Sequence, residues 1–269
     1  MNPRESLARV HPLDELGFEA RERQLLRRLL RPAHGLVMVA GPRQSGKTAT
    51  LHALVAEIGP HRRHVRALES KDVRGIEDHI KASDVLIVDC LDGELHPALI
   101  SRLFACVAQG RSVLATIAGE RAHHILPRLR ALGKTKEEIA SALTLLIAQA
   151  LVAALCRRCA EPDESEETRG VLAQATNTWL ESSGIRPRIA SKIGCPYCNG
   201  SGFSGRALVY ECIEIDSAAR ALIEEGALGG VMEQALLSDG RSMWDQGLRL
   251  LARGEISLGA LREAVREPR

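Results

Sequence analysis

The chain is poor in aromatic residues, which make up 3% of its 269 positions, and it carries almost no net charge. Thirty-six Lys and Arg stand against 34 Asp and Glu, a formal balance of +2. A nucleic-acid surface needs clustered positive charge and stacking platforms, so no nucleic-acid partner is expected. Long apolar runs are also missing. The most apolar stretch, Ala140 to Leu155, is too short to span a bilayer and holds Ser141, Thr144 and Gln149, so it is expected to form a buried helix. The N-terminal Met1-Asn-Pro-Arg-Glu-Ser6 lacks the apolar centre of a secretory signal, and the expectation is a cytoplasmic protein. Seven cysteines, an odd number in such a chain, argue against a disulfide framework. At 45% hydrophobic residues the chain can bury the core of one α/β domain with a smaller appendage.

What is present centres on Gly41-Pro42-Arg43-Gln44-Ser45-Gly46-Lys47-Thr48, which matches G-x-x-x-x-G-K-[ST]. It follows the apolar run Leu36 to Ala40 and precedes a helical pattern from Lys47 to Ile58, the context that separates a phosphate loop from an ordinary glycine turn. The glycines let successive backbone N–H groups face a phosphate, and the helix that follows aims its positive end the same way. Residues Gly41 through Ala49 are therefore the expected nucleotide contacts, with Lys47 reaching the β and γ phosphates of ATP and the Thr48 hydroxyl holding Mg2+.

Three carboxylates are candidates for the chemistry. Val65 to Glu69 reads as a strand with Glu69 at its carboxyl end, where open α/β sheets hold ligands. Val85 to Asp89 is a second apolar strand, and Asp89 sits where an acid would hold a magnesium-bound water. Glu94 is the nearest alternative general base. The strand Ser112 to Ile117 offers Thr116 either as a γ-phosphate sensor or as plain sheet packing.

The remaining pattern is punctuated by cysteine. A helix from Lys136 through Leu155 is expected to deliver Cys156 and Cys159, and Cys195-Pro-Tyr-Cys198 follows after 35 intervening residues. Two C-x-x-C turns present four thiolates to one tetrahedral ion, so Cys156, Cys159, Cys195 and Cys198 are read as a structural Zn2+ site. A redox role for either pair is the weaker alternative. Glu161 to Arg169 reads as a loop, Val171 to Glu181 as a short helix, and Ala207 to Glu211 as a strand. The segment Ser217 to Glu267 reads as a small helical bundle broken at glycines that include Gly247.

Three segments together resemble the secretion ATPase superfamily, in particular the motor ATPases of type II secretion and type IV pilus assembly. They are His34 through Thr48, Ala148 through Cys159, and Gly194 through Arg206 followed by Glu211. The resemblance implies an α/β fold with a RecA-like P-loop NTPase core (13–135), a helix plus tetracysteine zinc module (136–211) and a small C-terminal helical region (212–269), after an N-terminal tail (1–12). It also implies a hexamer peripheral to the cytoplasmic face of the inner membrane, coupling ATP hydrolysis to pilin or pseudopilin assembly through a platform protein. The sequence departs from the family pattern at its acidic box, here Leu68-Glu69-Ser70-Lys71. It departs again in the arginine segment, shortened to Asp72 through Ser83, and in the histidine box, where Thr116-Ile117-Ala118-Gly119 has no histidine. Those departures carry the alternative of a hydrolysis-deficient subunit that joins or regulates a full-length homologous ATPase.

Overall fold

Leu36, Val37, Met38, Val39 and Ala40 form the middle of strand β1 (Gly35–Gly41), and every residue of that strand is buried. Strands covered on both faces read as unbroken apolar runs, which is why the pattern was legible. A computed structural model describes residues 11–30, 34–58, 65–69 (backbone alone), 84–89, 96–175, 184–227, 231, 235 and 241–267. The expectations for residues 1–10 of the tail, for Asp72 to Ser83 and for Glu94 lie outside the described residues.

β1 leads through the turn at residues 42–46 into helix α2 (Lys47–Ile58). Strands β2 (Val65–Glu69), β3 (Val85–Asp89) and β4 (Ser112–Ala118) follow. The pairs β2–β3, β3–β4 and β4–β1 are all parallel. The register sets Gly41 beside Ala118 and Glu69 beside Asp89, so the carboxyl ends of these strands gather at one edge of the sheet. Ahead of β1, helix α1 (Ala20–Leu30) buries Leu26 and Leu30. Two of its arginines belong to an internal ion-pair cluster: Arg23 lies 2.9 Å from Asp14, and Arg27 lies 2.9 Å from Asp14 and 3.0 Å from Glu57. Helix α3 (Pro97–Ala108) buries the expected Leu99, Leu103, Phe104 and Val107, with Pro97 at its first turn and His96 accepting from the Ala98 amide. Helix α4 (Ile125–Ala131) comes after a 3-10 turn at Ala122–His124 in which His123 is buried.

The expected helix from Lys136 through Leu155 is corrected. Helix α5 (Lys136–Ala142), opened by a reciprocal cap between Thr135 and Glu138, lasts seven residues, and strand β5 (Leu143–Leu155) takes over. β5 lies parallel to β1 with Ala148 beside Ala40. The cause is burial: a strand inside a sheet needs apolar residues on both faces, and that pattern is indistinguishable from a buried helix by periodicity alone. With strand β8 (Phe203–Glu214), longer than the expected Ala207 to Glu211, the sheet has the order β2-β3-β4-β1-β5-β8.

The chain divides into two compact units, Met1–Gln149 with Glu211–Leu236, and Ala150–Tyr210 with Leu237–Arg269. The first also contains helix α7 (Ser217–Glu225), capped by Asp216. In the second, a short antiparallel pair joins β6 (Glu161–Pro162) to β7 (Arg188–Ile189), and helix α6 (Glu166–Gln174) lies between them in sequence. α6 starts five residues ahead of the expected Val171 because the Ser165 hydroxyl accepts from the Thr168 amide and Glu166 and Glu167 favour the helix's positive end. Helices α8 (Met243–Ala252) and α9 (Leu258–Ala264) end the chain. Gly247 is not a break as expected. It lies inside α8, where a Cβ would meet Leu261 Cδ1 at 2.1 Å, so the missing side chain is what lets α9 approach.

Candidate functional site

The loop between β1 and α2 takes its shape from two left-handed residues, Gln44 (φ 61°) and Gly46 (φ 84°). Gly46 meets this demand at no steric cost, whereas Gln44 is a non-glycine held there by its surroundings. Gly41 is required for a different reason. A Cβ there would lie 2.2 Å from Ser45 Oγ and 2.5 Å from the Gln149 carbonyl oxygen, so any other residue would displace the loop.

Lys47 and Thr48 open α2. The Lys47 ammonium donates to the carbonyls of Gly41 at 2.9 Å and Pro42 at 2.6 Å, and so lies across the loop. Burial lowers its pKa below the ordinary 10.5 and nearby Arg43 acts in the same sense, while Asp89 opposes them. Thr48 Oγ1 donates to Asp89 Oδ2 at 2.7 Å, and Thr116 Oγ1 donates to Asp89 Oδ1 at 2.6 Å. Both carboxylate oxygens are thus engaged, and the ends of β3, β4 and α2 meet at one acid. A charge-assisted hydrogen bond of this kind contributes about 1.5–3 kcal/mol, enough to fix the rotamer.

Of the sequence-predicted acids, Asp89 therefore meets Thr48 at the start of α2. Glu69 has its backbone beside Asp89 at the same sheet edge. The Glu69 side chain and the whole of Glu94 lie outside the described residues. Residues Gly41 through Ala49 form the continuous loop and first helical turn.

Two participants were named in the sequence without being given a role at the site. Gln149, buried in β5, donates from Nε2 to the Ser45 carbonyl at 2.7 Å. Its signal was a lone amide in an apolar run. Glu211, with no solvent exposure, forms an ion pair with Arg121 (Nε to Oε1 2.6 Å) and accepts from the Ala122 amide at 2.9 Å, and so holds the turn that follows β4. A carboxylate in the otherwise apolar run Leu208 to Ile213 was its signal.

The second cluster lies within the other compact unit. All four sulfurs of Cys156, Cys159, Cys195 and Cys198 fall within 4.8 Å of one another, with Sγ···Sγ distances of 3.7, 3.7 and 3.8 Å for 156–195, 159–198 and 195–198. Four thiolates about 2.3 Å from a tetrahedral zinc ion stand about 3.8 Å apart, so the donor set fits that ion. A disulfide would need about 2.05 Å, and the cysteines are free. Burial by itself would raise the Cys198 thiol, but the amides of Cys195 and Gly202, 3.2 and 3.3 Å from its sulfur, and the neighbouring thiols pull it down to about 6. Such amide donors are what a metal-bound thiolate requires around it. The turn is tight: a Cβ on Gly194 (φ 67°) would meet the Gly200 backbone at 2.4 Å.

Three comparisons bear on this architecture. The type II secretion system ATPase E of Vibrio cholerae is 28% identical over 278 residues, which cover 95% of this chain and 53% of that protein. The type IV pilus assembly ATPase PilB of Pseudomonas aeruginosa is 26% identical, with 95% and 48% covered. The chain thus spans about half the length of these curated relatives. Among solved structures, the pilus retraction motor PilT with bound ADP superposes with a TM-score of 0.66 at 17% identity, over 97% of this chain and 68% of that one. The ATPase DotB of Legionella pneumophila gives 0.65 at 15% identity, over 94% and 64%. At those identities the likeness speaks for the fold, a RecA-like α/β core. The sequence model of the type II/IV secretion system proteins matches residues 4–89 and 93–266. By a match over nearly its whole length, the chain belongs to the type II/IV secretion system protein family, the class of the secretion and pilus ATPases.

Proposed function

We propose that the chain is the ATP-binding motor region of a type II secretion or type IV pilus assembly machine, coupling ATP hydrolysis to pseudopilin or pilin assembly. The observation that carries this reading is the Thr48–Asp89 hydrogen bond of 2.7 Å, which ties the last residue of the phosphate loop to a strand-end acid. In this reading the loop amides bind the phosphates and Lys47 exchanges the carbonyls of Gly41 and Pro42 for β and γ phosphate oxygens. The Thr48 hydroxyl would hold Mg2+, which would supply charge neutralisation at the phosphates. Asp89, kept in place by Thr116, would orient the attacking water. Glu69 and Glu94 are the further acids assigned to the hydrolytic step.

The sulfur spacing supports Zn2+ as a structural staple in the second unit, where it would fix the two cysteine turns to each other. A hexamer at the cytoplasmic face of the inner membrane, working on a platform protein, is the assembly that this reading takes from the family. A second reading, a hydrolysis-deficient subunit partnered with a full-length ATPase, is favoured by Ala118 at the family's histidine position. Binding of ATP and release of phosphate, measured on one sample with Lys47→Ala beside it, separate the two. The motor reading requires turnover that the variant lacks. Binding without turnover selects the second reading, and no binding by folded protein rejects both.

A further inference from the structure

We propose that Gln149 is a positioning residue for the phosphate loop, turning the Ser45–Gly46 peptide so that its N–H faces the phosphate site. The inference deepens the nucleotide-binding reading above and rests on it. Gln149 is 1% exposed, between Ala148 and Ala150 in β5, and an amide in that setting needs a reason. The register places Ala148 beside Ala40, and the Gln149 carbonyl oxygen stands 2.5 Å from where a Cβ of Gly41 would lie, so Gln149 is against the loop. From there Nε2 donates to the Ser45 carbonyl at 2.7 Å. The amide's orientation is fixed by that partner, since the opposite flip would set the Oε1 lone pairs against a carbonyl oxygen.

A trans peptide is planar, with its C=O and N–H pointing in opposite directions. No cis peptide occurs among the described residues, so a Ser45 carbonyl drawn down onto β5 leaves the Gly46 N–H directed away from the sheet. Gly46 is the second glycine of the loop, and its φ of 84° permits that turn of the plane. Packing alone does not account for Gln149. Its Oε1 and the nearby Ser45 Oγ are both buried without a hydrogen-bond partner among the described residues. Buried polar atoms left unpaired disfavour the site, and an apolar side chain would fill the same space without that penalty. What the amide adds is direction, and it is available before any ligand arrives.

The test uses the intact chain with MgADP and a non-hydrolysable ATP analogue, read by calorimetry and by the amide resonance of Gly46 in 15N-labelled protein. In the wild type the Gly46 amide proton should move downfield when either nucleotide binds, as an N–H does on bonding to an anion. Gln149→Leu and Gln149→Met remove the donor, and each should weaken both nucleotides by a similar factor of about tenfold or more. The Gly46 shift should shrink with them, while the melting temperature without ligand stays at the wild-type value. A merely structural role would lower that temperature and leave the Gly46 response intact. If the wild type binds and both variants bind equally well, the role of Gln149 is refuted and the nucleotide reading survives. If the wild type does not bind, the nucleotide reading itself fails. Should neither variant fold, the wild-type spectrum still decides: a Gly46 resonance that does not move on binding overturns the proposal.

Discussion

Thr48 and Asp89 lie forty-one residues apart in sequence and 2.7 Å apart through Oγ1 and Oδ2. The bond joins the start of α2 to the end of β3, and Thr116 closes the arrangement from β4 at 2.6 Å. Replacing Asp89 with Ala should therefore leave nucleotide affinity close to wild type and reduce turnover by about 10² or more, because the acid serves water orientation rather than ground-state phosphate contact. Equal turnover in the two proteins, measured by phosphate release, would remove Asp89 from the chemistry.

Glu211 gives a prediction about stability. It is fully buried with both oxygens engaged by Arg121 and the Ala122 amide. Glu211→Ala would leave a guanidinium that is 17% exposed, together with a buried amide, facing an apolar gap. Removing one partner of a buried ion pair costs about 3–5 kcal/mol, which denaturant unfolding should report. A change below about 1 kcal/mol, the value of an exposed pair, would contradict the pairing.

Affinity for nucleotide should fall at high pH. Lys47 has its pKa lowered below 10.5, chiefly by burial, so the free loop loses the ammonium proton earlier than an exposed lysine would. The phosphates favour the charged form. Binding is thus insensitive to pH below the free-loop value and weakens as pH rises through it. Calorimetric titrations of MgADP across the alkaline range should show this loss. Affinity that rises instead would place the lysine outside the phosphate site.

Loss of the metal should cost the second unit its stability. Cys195→Ser removes one sulfur of the set and breaks the 3.7 Å and 3.8 Å approaches to Cys156 and Cys198. Structural zinc contributes on the order of 10 kcal/mol in small domains. The variant, like chelator-treated wild type, should lose stoichiometric zinc by elemental analysis and melt at a lower temperature. Unchanged metal content would refute the site. Gly194→Ala is expected to have a similar, smaller effect, because its Cβ would strike Gly200.

The glycine-rich turn before Lys47, α2, β2 and β3 were legible because each announces itself locally, as a motif, a helical pattern directly after it, or a short run ending in an acid. β5 was not. Its residues Leu143 to Leu155 are rich in Ala and Leu and fit a helix equally well, and only a place between β1 and β8 makes them a strand. The same misreading concealed Gln149. In a helix that residue has no fixed relation to the loop, whereas in a strand paired with β1 through Ala40 and Ala148 it is brought against Gly41. The cysteine spacing revealed four candidate ligands of one kind, but their closure over 35 intervening residues depends on folding that no local pattern encodes.

Titration of the folded protein with a magnesium complex of a non-hydrolysable ATP analogue tests the account most directly. A saturable heat at one site per chain, abolished in Lys47→Ala, is the predicted result. No heat from wild-type protein that melts cooperatively would contradict it.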